Sequence, residues 1–105
     1  MEQFIYVLKP SRLAMLTEGP TPAEAEAVQA HVEYLEAESR AGRVLLAGRT
    51  QTADAATFGI VILRAASIEA AQQQMENDPA VAGGAMTATL YPYRIAAVAD
   101  EITAL

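Results

Sequence analysis

The sequence predicts an α+β fold in which a four-stranded antiparallel sheet carries two helices on one face. Two observations predict this class. Four stretches rich in β-formers and two stretches with helical periodicity follow one another in the order β-α-β-β-α-β. With 105 residues the chain can build one core and has little room for a second. Residues 1–105 are therefore predicted to form a single domain.

The first strand is predicted over residues 3–9, which are rich in β-formers and end at a proline. Side chains alternate along a strand, so Phe4, Tyr6 and Leu8 should share one face. Residues 10–20 contain two prolines and a glycine and are predicted as a loop. A short apolar insert in this loop is expected to cover part of the protein.

The first helix has clear signals at both ends. Thr21 and Glu24 form a T-x-x-E capping box, and Gly42 is a natural stop, so the helix should span residues 22–41. A stripe at helical spacing marks its apolar face. The stripe consists of Val28, Val32, Leu35 and Ser39.

The second and third strands are predicted as a hairpin. One begins at Val44, the next covers residues 58–63, and a loop of small and polar residues lies between them. Residues 58–63 are apolar at every position except one glycine. A strand that is apolar on both faces belongs in the centre of a sheet.

The second helix should begin after Ser67, a good capping residue, and end at Asp78, since the residue before a proline leaves the helical region. Residues 80–84 then form a turn or a helix fragment. The fourth strand is predicted over residues 86–91. The proline that follows it, Pro92, favours an edge position or a bulge.

Together these elements predict the ferredoxin-like arrangement, in which one sheet face has no cover within the chain. Large side chains are scarce, because alanine supplies 23 of the 55 hydrophobic residues. We therefore expect a homodimer that packs through the open sheet face. The alanine-rich residues 95–105 fit a strand extension, a short helix or a tail equally well.

Composition excludes several classes of function. The chain has no cysteine and one histidine, which excludes cysteine nucleophiles and multi-histidine metal centres. No cofactor motif is present, so neither a cofactor nor a metal is expected. A net charge of −6 argues against nucleic-acid binding. No apolar run suits a membrane span, and the first residues lack the features of a signal peptide, so we expect a cytoplasmic protein.

One histidine and one aspartate are the main candidates for chemistry. His31 borders the apolar stripe of the first helix, on the same flank as Tyr34, and is the one side chain that ordinarily titrates near neutral pH. Taken alone, it is more typical of a packed or surface histidine, and Asp78 is sufficiently explained as a helix end. Further candidates for substrate binding lie near strand ends, in loops or beside His31. They are Arg12, Arg49, Tyr6 and Tyr34.

Three segments in order resemble the YCII-related (YciI-like) family. They are the HVEYL segment from His31, GRVLLAG from Gly42, and NDPAVAG from Asn77. The histidine precedes the two glycines of the second segment by 11 and 17 residues, as in the family pattern. The resemblance extends from about residue 2 to residue 93.

The resemblance implies a dimeric ferredoxin-like protein with a His–Asp dyad in a pocket near the dimer interface. Carried over residue by residue, the dyad is His31 and Asp78. One activity in the family is elimination of chloride from a chlorinated hydroxyquinol-type aromatic. The chain departs from the family at Arg49, where a proline is usual; the arginine would alter the turn or add a cation to the pocket.

The expected function is that of a small dimeric enzyme in which His31 accepts a proton from a small, aromatic or lactone-like metabolite. Isomerisation, lactone chemistry and elimination of HX all fit. Two other classes stay open. One is a non-catalytic domain that binds or senses a small molecule, and the other is a cofactor-free monooxygenase.

Overall fold

The computed structural model describes residues 1–100 and 102. Its four strands form one antiparallel sheet in the order β2-β3-β1-β4. Their bounds are β1 (Glu2–Pro10), β2 (Val44–Arg49), β3 (Gly59–Ala65) and β4 (Met86–Tyr93). Four helices complete the fold: α1 (Ala14–Thr17), α2 (Pro22–Arg40), α3 (Ile68–Asn77) and α4 (Pro79–Ala82). This order confirms the predicted ferredoxin-like α+β fold.

The core lies between the helices and one face of the two central strands. Phe4, Tyr6 and Leu8 of β1 are all buried, as their alternation predicts. Opposite them in register stand Leu63, Val61 and Gly59 of β3. Ala71 and Met75 of α3 belong to the same buried cluster.

Residues 10–20 differ from the predicted loop. They include the short helix α1, and Met15 at its centre is buried, so the apolar insert does serve as a cover. The turn forms because its apolar side chains gain more by packing together than they would in an extended loop. Beyond β4, residues 94–99 adopt neither helix nor strand, and the Ile95 N–H donates to the Gln3 side chain (2.7 Å). For the predicted final segment 95–105, positions 101 and 103–105 lie outside the described residues.

Both long helices begin at the predicted caps. Thr21 and Glu24 form the complete capping box of α2, with the Thr21 hydroxyl accepting from the Glu24 N–H (3.1 Å). Gly42, at φ +79°, follows the end of α2 in the left-handed conformation that favours glycine. Ser67 caps α3 by accepting from the Ala70 N–H (3.2 Å).

Helix α2 is the longest in the structure and yet none of its residues is fully buried. Val32, in the middle of its apolar stripe, keeps 42% of its surface exposed. The stripe lines an open cleft, and within it Leu35 also packs against the core cluster. Across the described part of the chain, no helix is both long and apolar enough to cross a membrane.

Candidate active site

Helix α2 and the junction between α3 and α4 bring together the two residues of the expected dyad. His31 Nδ1 lies 2.7 Å from Asp78 Oδ1. The Asp78 side chain is fully buried, and 12% of the His31 side chain is exposed. Because a carboxylate accepts hydrogen bonds, this contact favours the neutral tautomer that carries the proton on Nδ1 and leaves Nε2 as the basic nitrogen.

Asp78 also has a structural role. It ends α3 and caps α4, where its Oδ1 accepts from the Ala80 N–H (3.0 Å). Pro79 stands at the first position of α4, which its fixed φ favours. The helix-end explanation of Asp78 and its contact with His31 are therefore both correct, since one oxygen serves both partners.

The end of α4 lies close to α2 at Gly83. A β-carbon at Gly83 would lie 2.9 Å from the Pro79 carbonyl oxygen and 3.4 Å from the β-carbon of Ala27. Only glycine fits without displacing the backbone. Gly83 stands in the NDPAVAG segment, but the sequence gives no sign that its small size is needed to pack α4 on α2.

Tyr6 occupies a different place from the one expected of a substrate-binding residue. Its hydroxyl donates to Asp78 Oδ2 (2.8 Å), and only 1% of the residue is exposed. Burial, reinforced by the Asp78 charge, raises the pKa of the Tyr6 hydroxyl far above its usual value. Tyr6 contacts the dyad from beneath and does not line the cleft, because β1 points this side chain into the core.

The cleft beside α2 has a volume of about 920 Å³ and an apolar wall that includes His31. Both the sheet and the segment after β1 contribute to it. The apolar lining includes Leu8, Met15, Val28, Val32, Leu35, Phe58, Ile60 and Met86. Its size falls within the ~300–1,000 Å³ typical of sites for small molecules.

Of the expected substrate-binding residues, Arg49 lines the cleft. It is the last residue of β2 and forms no ion pair within residues 1–100 and 102. Arg49 also lines a smaller, more polar pocket beside the loop that follows β2. Arg49 therefore adds a cation to the wall of the cleft.

Arg12 and Tyr34 lie outside the cleft wall. The Arg12 guanidinium pairs with the Glu24 carboxylate (2.6 Å), which ties the loop after β1 to the first turn of α2. The Tyr34 hydroxyl donates to the Gln74 carbonyl oxygen (2.8 Å) and thereby joins α2 to α3. Burial and the nearby Glu38 carboxylate raise the pKa of Tyr34 to about 12. Both side chains are engaged in holding α2 in place.

Metal binding needs several ligands converging on one point. Within the described ranges, no group of three or more His, Cys, Asp or Glu side chains is arranged to hold a metal ion. His31 and Asp78 contact one another directly.

The chain is thus a small α+β protein in which an imidazole lines an apolar cleft and contacts a buried carboxylate behind it. The YCII-related domain family matches residues 6–92, and the chain belongs to that family. No curated protein sequence matches the chain.

The chain is similar in fold to a solved structure of 5-chloro-2-hydroxyhydroquinone dehydrochlorinase (TftG) from Burkholderia phenoliruptrix AC1100, in complex with 2,5-dihydroxybenzoquinone. The two are 19% identical, with a TM-score of 0.62, over 87% of this chain and 93% of that one. At this identity the likeness establishes the shared fold.

Proposed function

We propose that this protein is a small enzyme in which His31 acts as a general base on a small, ring-containing metabolite. The observation that carries the proposal is that His31, which lines an apolar cleft, has its Nδ1 2.7 Å from the buried Asp78 carboxylate. A buried carboxylate on one ring nitrogen stabilises the imidazolium that forms when the other nitrogen takes a proton. Such base catalysis contributes typically about 10²–10⁴-fold to a rate.

Elimination of HX is the first reaction to test, because the fold is shared with a dehydrochlorinase. In this step Nε2 of His31 takes a proton from the substrate. The electron pair left behind forms a new double bond, and the halide departs with its own bonding pair. Isomerisation and lactone chemistry begin with the same proton removal and end with return of the proton to another atom.

Arg49 is proposed to bind an anionic oxygen of the substrate. It lines the cleft without an ion-pair partner among the described residues, and charge-assisted hydrogen bonds to carboxylates or phenolates are strong. Replacing it with glutamine should raise KM roughly tenfold for anionic substrates, in line with ~1.5 kcal/mol for a bond to a charged group. Neutral analogues should show little change in KM.

The protein is further proposed to form a homodimer through the open sheet face. Alternation places Ile5 and Val7 on this face, and the register partners of Ile5 are Ile62, which is nearly buried within the chain, and Tyr91. Nearly half of Tyr91 is exposed, at the side of this apolar strip. Light scattering should give twice the chain mass, and Val7→Arg should give the chain mass. A wild-type monomer at micromolar concentration would contradict the dimer.

The decisive experiment compares the wild type with His31→Ala and Asp78→Asn on chlorinated and hydroxylated hydroquinones, with chloride release as the readout. Both variants should lose about 10²–10⁴-fold in kcat. Gln72→Ala, on the exposed side of α3, is a control that should keep wild-type activity. Binding of 2,5-dihydroxybenzoquinone without turnover of any substrate, unaffected by His31→Ala, would identify a binding domain instead.

A further inference from the structure

The Asp78 carboxylate accepts three hydrogen bonds in the interior. Oδ1 accepts from His31 Nδ1 (2.7 Å) and from the Ala80 N–H (3.0 Å), and Oδ2 accepts from the Tyr6 hydroxyl (2.8 Å). Among the described residues, the Tyr6 hydroxyl is the hydrogen-bond donor to Oδ2. The two oxygens are therefore differentiated, with one facing the helices and the other facing the strand beneath them.

An unpartnered oxygen on a fully buried carboxylate is costly, since the interior offers no water to replace the missing bond. If Oδ2 had no donor, the carboxylate would gain by turning until both oxygens shared the donors of His31 and Ala80. That rotation would lengthen the contact with His31 and loosen the preference for a proton on Nδ1. The Tyr6 hydroxyl prevents this rotation because it donates a hydrogen bond to Oδ2 in its present position.

Tyr6 is well placed for such a task. It lies in β1, one of the two central strands, with Val61 of β3 and Leu90 of β4 as its register partners. Packing on both sides fixes the ring, so the hydroxyl is held at one point in space. The hydroxyl also keeps its proton throughout the working pH range, since burial and the Asp78 charge raise its pKa.

We infer that Tyr6 is the third member of the site, a positioning residue that orients Asp78 and through it sets the tautomer of His31. The inference concerns the arrangement of the three side chains and rests on the proposed function only for its catalytic consequence. Tyr6 reaches no substrate, since it does not line the cleft. Its effect on any reaction passes through the Asp78 carboxylate.

The test is ¹⁵N NMR of the imidazole ring, which reports directly which ring nitrogen carries the proton. His31 is the one histidine in the chain, so the ring signals are its own, and couplings to the ring C–H protons distinguish Nδ1 from Nε2. In the wild type at a pH where the ring is neutral, the pattern should be that of a single tautomer with the proton on Nδ1. In Tyr6→Phe the two nitrogen shifts should move towards each other, as the tautomers mix.

Tyr34→Phe is the matched control. It also removes a tyrosine hydroxyl bond of 2.8 Å, but that bond goes to the Gln74 carbonyl oxygen instead of the dyad. The control should keep the wild-type pattern of ring shifts. Unchanged shifts in a folded Tyr6→Phe variant, or equal changes in the two variants, would overturn the inference.

A second measurement keeps the inference testable if Tyr6→Phe does not fold. Incorporation of 3-fluorotyrosine in the Tyr34→Phe background makes the Tyr6 hydroxyl a stronger donor, while Tyr91 and Tyr93 lie on the exposed part of β4. Stronger donation to Oδ2 should shift the His31 ring nitrogens relative to the unlabelled protein. Identical spectra would overturn the inference.

These readouts are independent of catalysis. If no substrate is turned over, the proposed function fails, yet the tautomer result still decides the role of Tyr6. If His31→Ala abolishes turnover but Tyr6→Phe leaves both the ring shifts and kcat unchanged, the proposed function stands and the role of Tyr6 is refuted.

Discussion

The two long helices lie in one layer but meet their surroundings differently. Helix α3, with 10 residues, buries Ala71 and Met75 in the core. Helix α2, with 19 residues, buries none, and its apolar stripe faces the cleft. The difference shows that an apolar stripe on a helix can line an open cleft as well as pack against a core.

What holds α2 without a buried face is a set of polar contacts at defined points. The capping box and the Arg12–Glu24 pair fix its start, and the Tyr34 bond to the Gln74 carbonyl ties it to α3. His31 adds the bond to Asp78. Each contact leaves the apolar stripe free, so the helix is stable while its face remains available.

The largest loss of stability should come from shortening a buried side chain of α3. Met75 is 5% exposed, and Met75→Ala should lower the free energy of unfolding by about 2–5 kcal/mol, because it removes buried contacts and leaves a cavity. Urea denaturation measures the loss. A loss below about 1 kcal/mol would mean that α3 is not the better-packed helix.

A smaller effect is expected at the two helix caps. Thr21→Ala and Ser67→Ala should each cost about 1 kcal/mol of stability, the usual value for a lost N-cap. In α2 the first turn has little packing to hold it, so Thr21→Ala should also speed amide hydrogen exchange there. Exchange in the first turn of α3 should change less in Ser67→Ala. Equal changes in amide exchange would show that packing holds the first turns of the two helices equally well.

The apolar stripe of α2 should contribute little to stability. Val32 is 42% exposed, so Val32→Ala should leave the free energy of unfolding within about 0.5 kcal/mol of the wild type. Under the proposed function, affinity for 2,5-dihydroxybenzoquinone should fall roughly fivefold, or about 1 kcal/mol, because the side chain lines the cleft. Calorimetric titration measures the affinity, and a strongly destabilised variant would show that the stripe belongs to the core.

The smallest effect is a pH dependence at the start of α2. Hydrogen bonds from the Arg12 guanidinium and from the Thr21 backbone lower the pKa of Glu24 from its ordinary 4.5 to about 2. A depressed pKa means that the ionised carboxylate stabilises the fold above about 4.5, and that this contribution is lost as the pH falls through about 2.

Glu24→Gln should therefore be less stable than the wild type at neutral pH, with a difference that shrinks as the pH falls. Because the pair is exposed, the difference should be small and should also shrink in high salt. Thermal denaturation over this pH range provides the measurement. A difference that does not change with pH would show that the charge of Glu24 is not its cause.

Much of the fold could be predicted because its signals are local. Alternation in Phe4, Tyr6 and Leu8 located the buried face of β1, and the sequence Asp78–Pro79 marked the break between α3 and α4. The helix α1 was missed because its four residues become helical through tertiary packing of Met15. A turn this short carries no periodicity that a sequence pattern can reveal.

The site could be predicted only in part. His31 and Asp78 stood out through residue type and the family resemblance, and the structure brings their side chains into contact. Tyr6 was expected at the substrate, but its place on the core face of β1 puts its hydroxyl on Asp78. Arg12 was expected there as well and instead pairs with Glu24, a residue 12 positions along the chain that no motif links to it.

The sequence by itself determined where the two long helices and the four strands run, because capping, alternation and proline breaks act over a few residues. Only the tertiary structure decided that the stripe of α2 lines a cleft, and that Tyr6, His31 and Asp78 converge from three elements. Tyr6 and Asp78 are 72 residues apart in the chain. A contact over that separation depends on how sheet and helices pack, which no local pattern specifies.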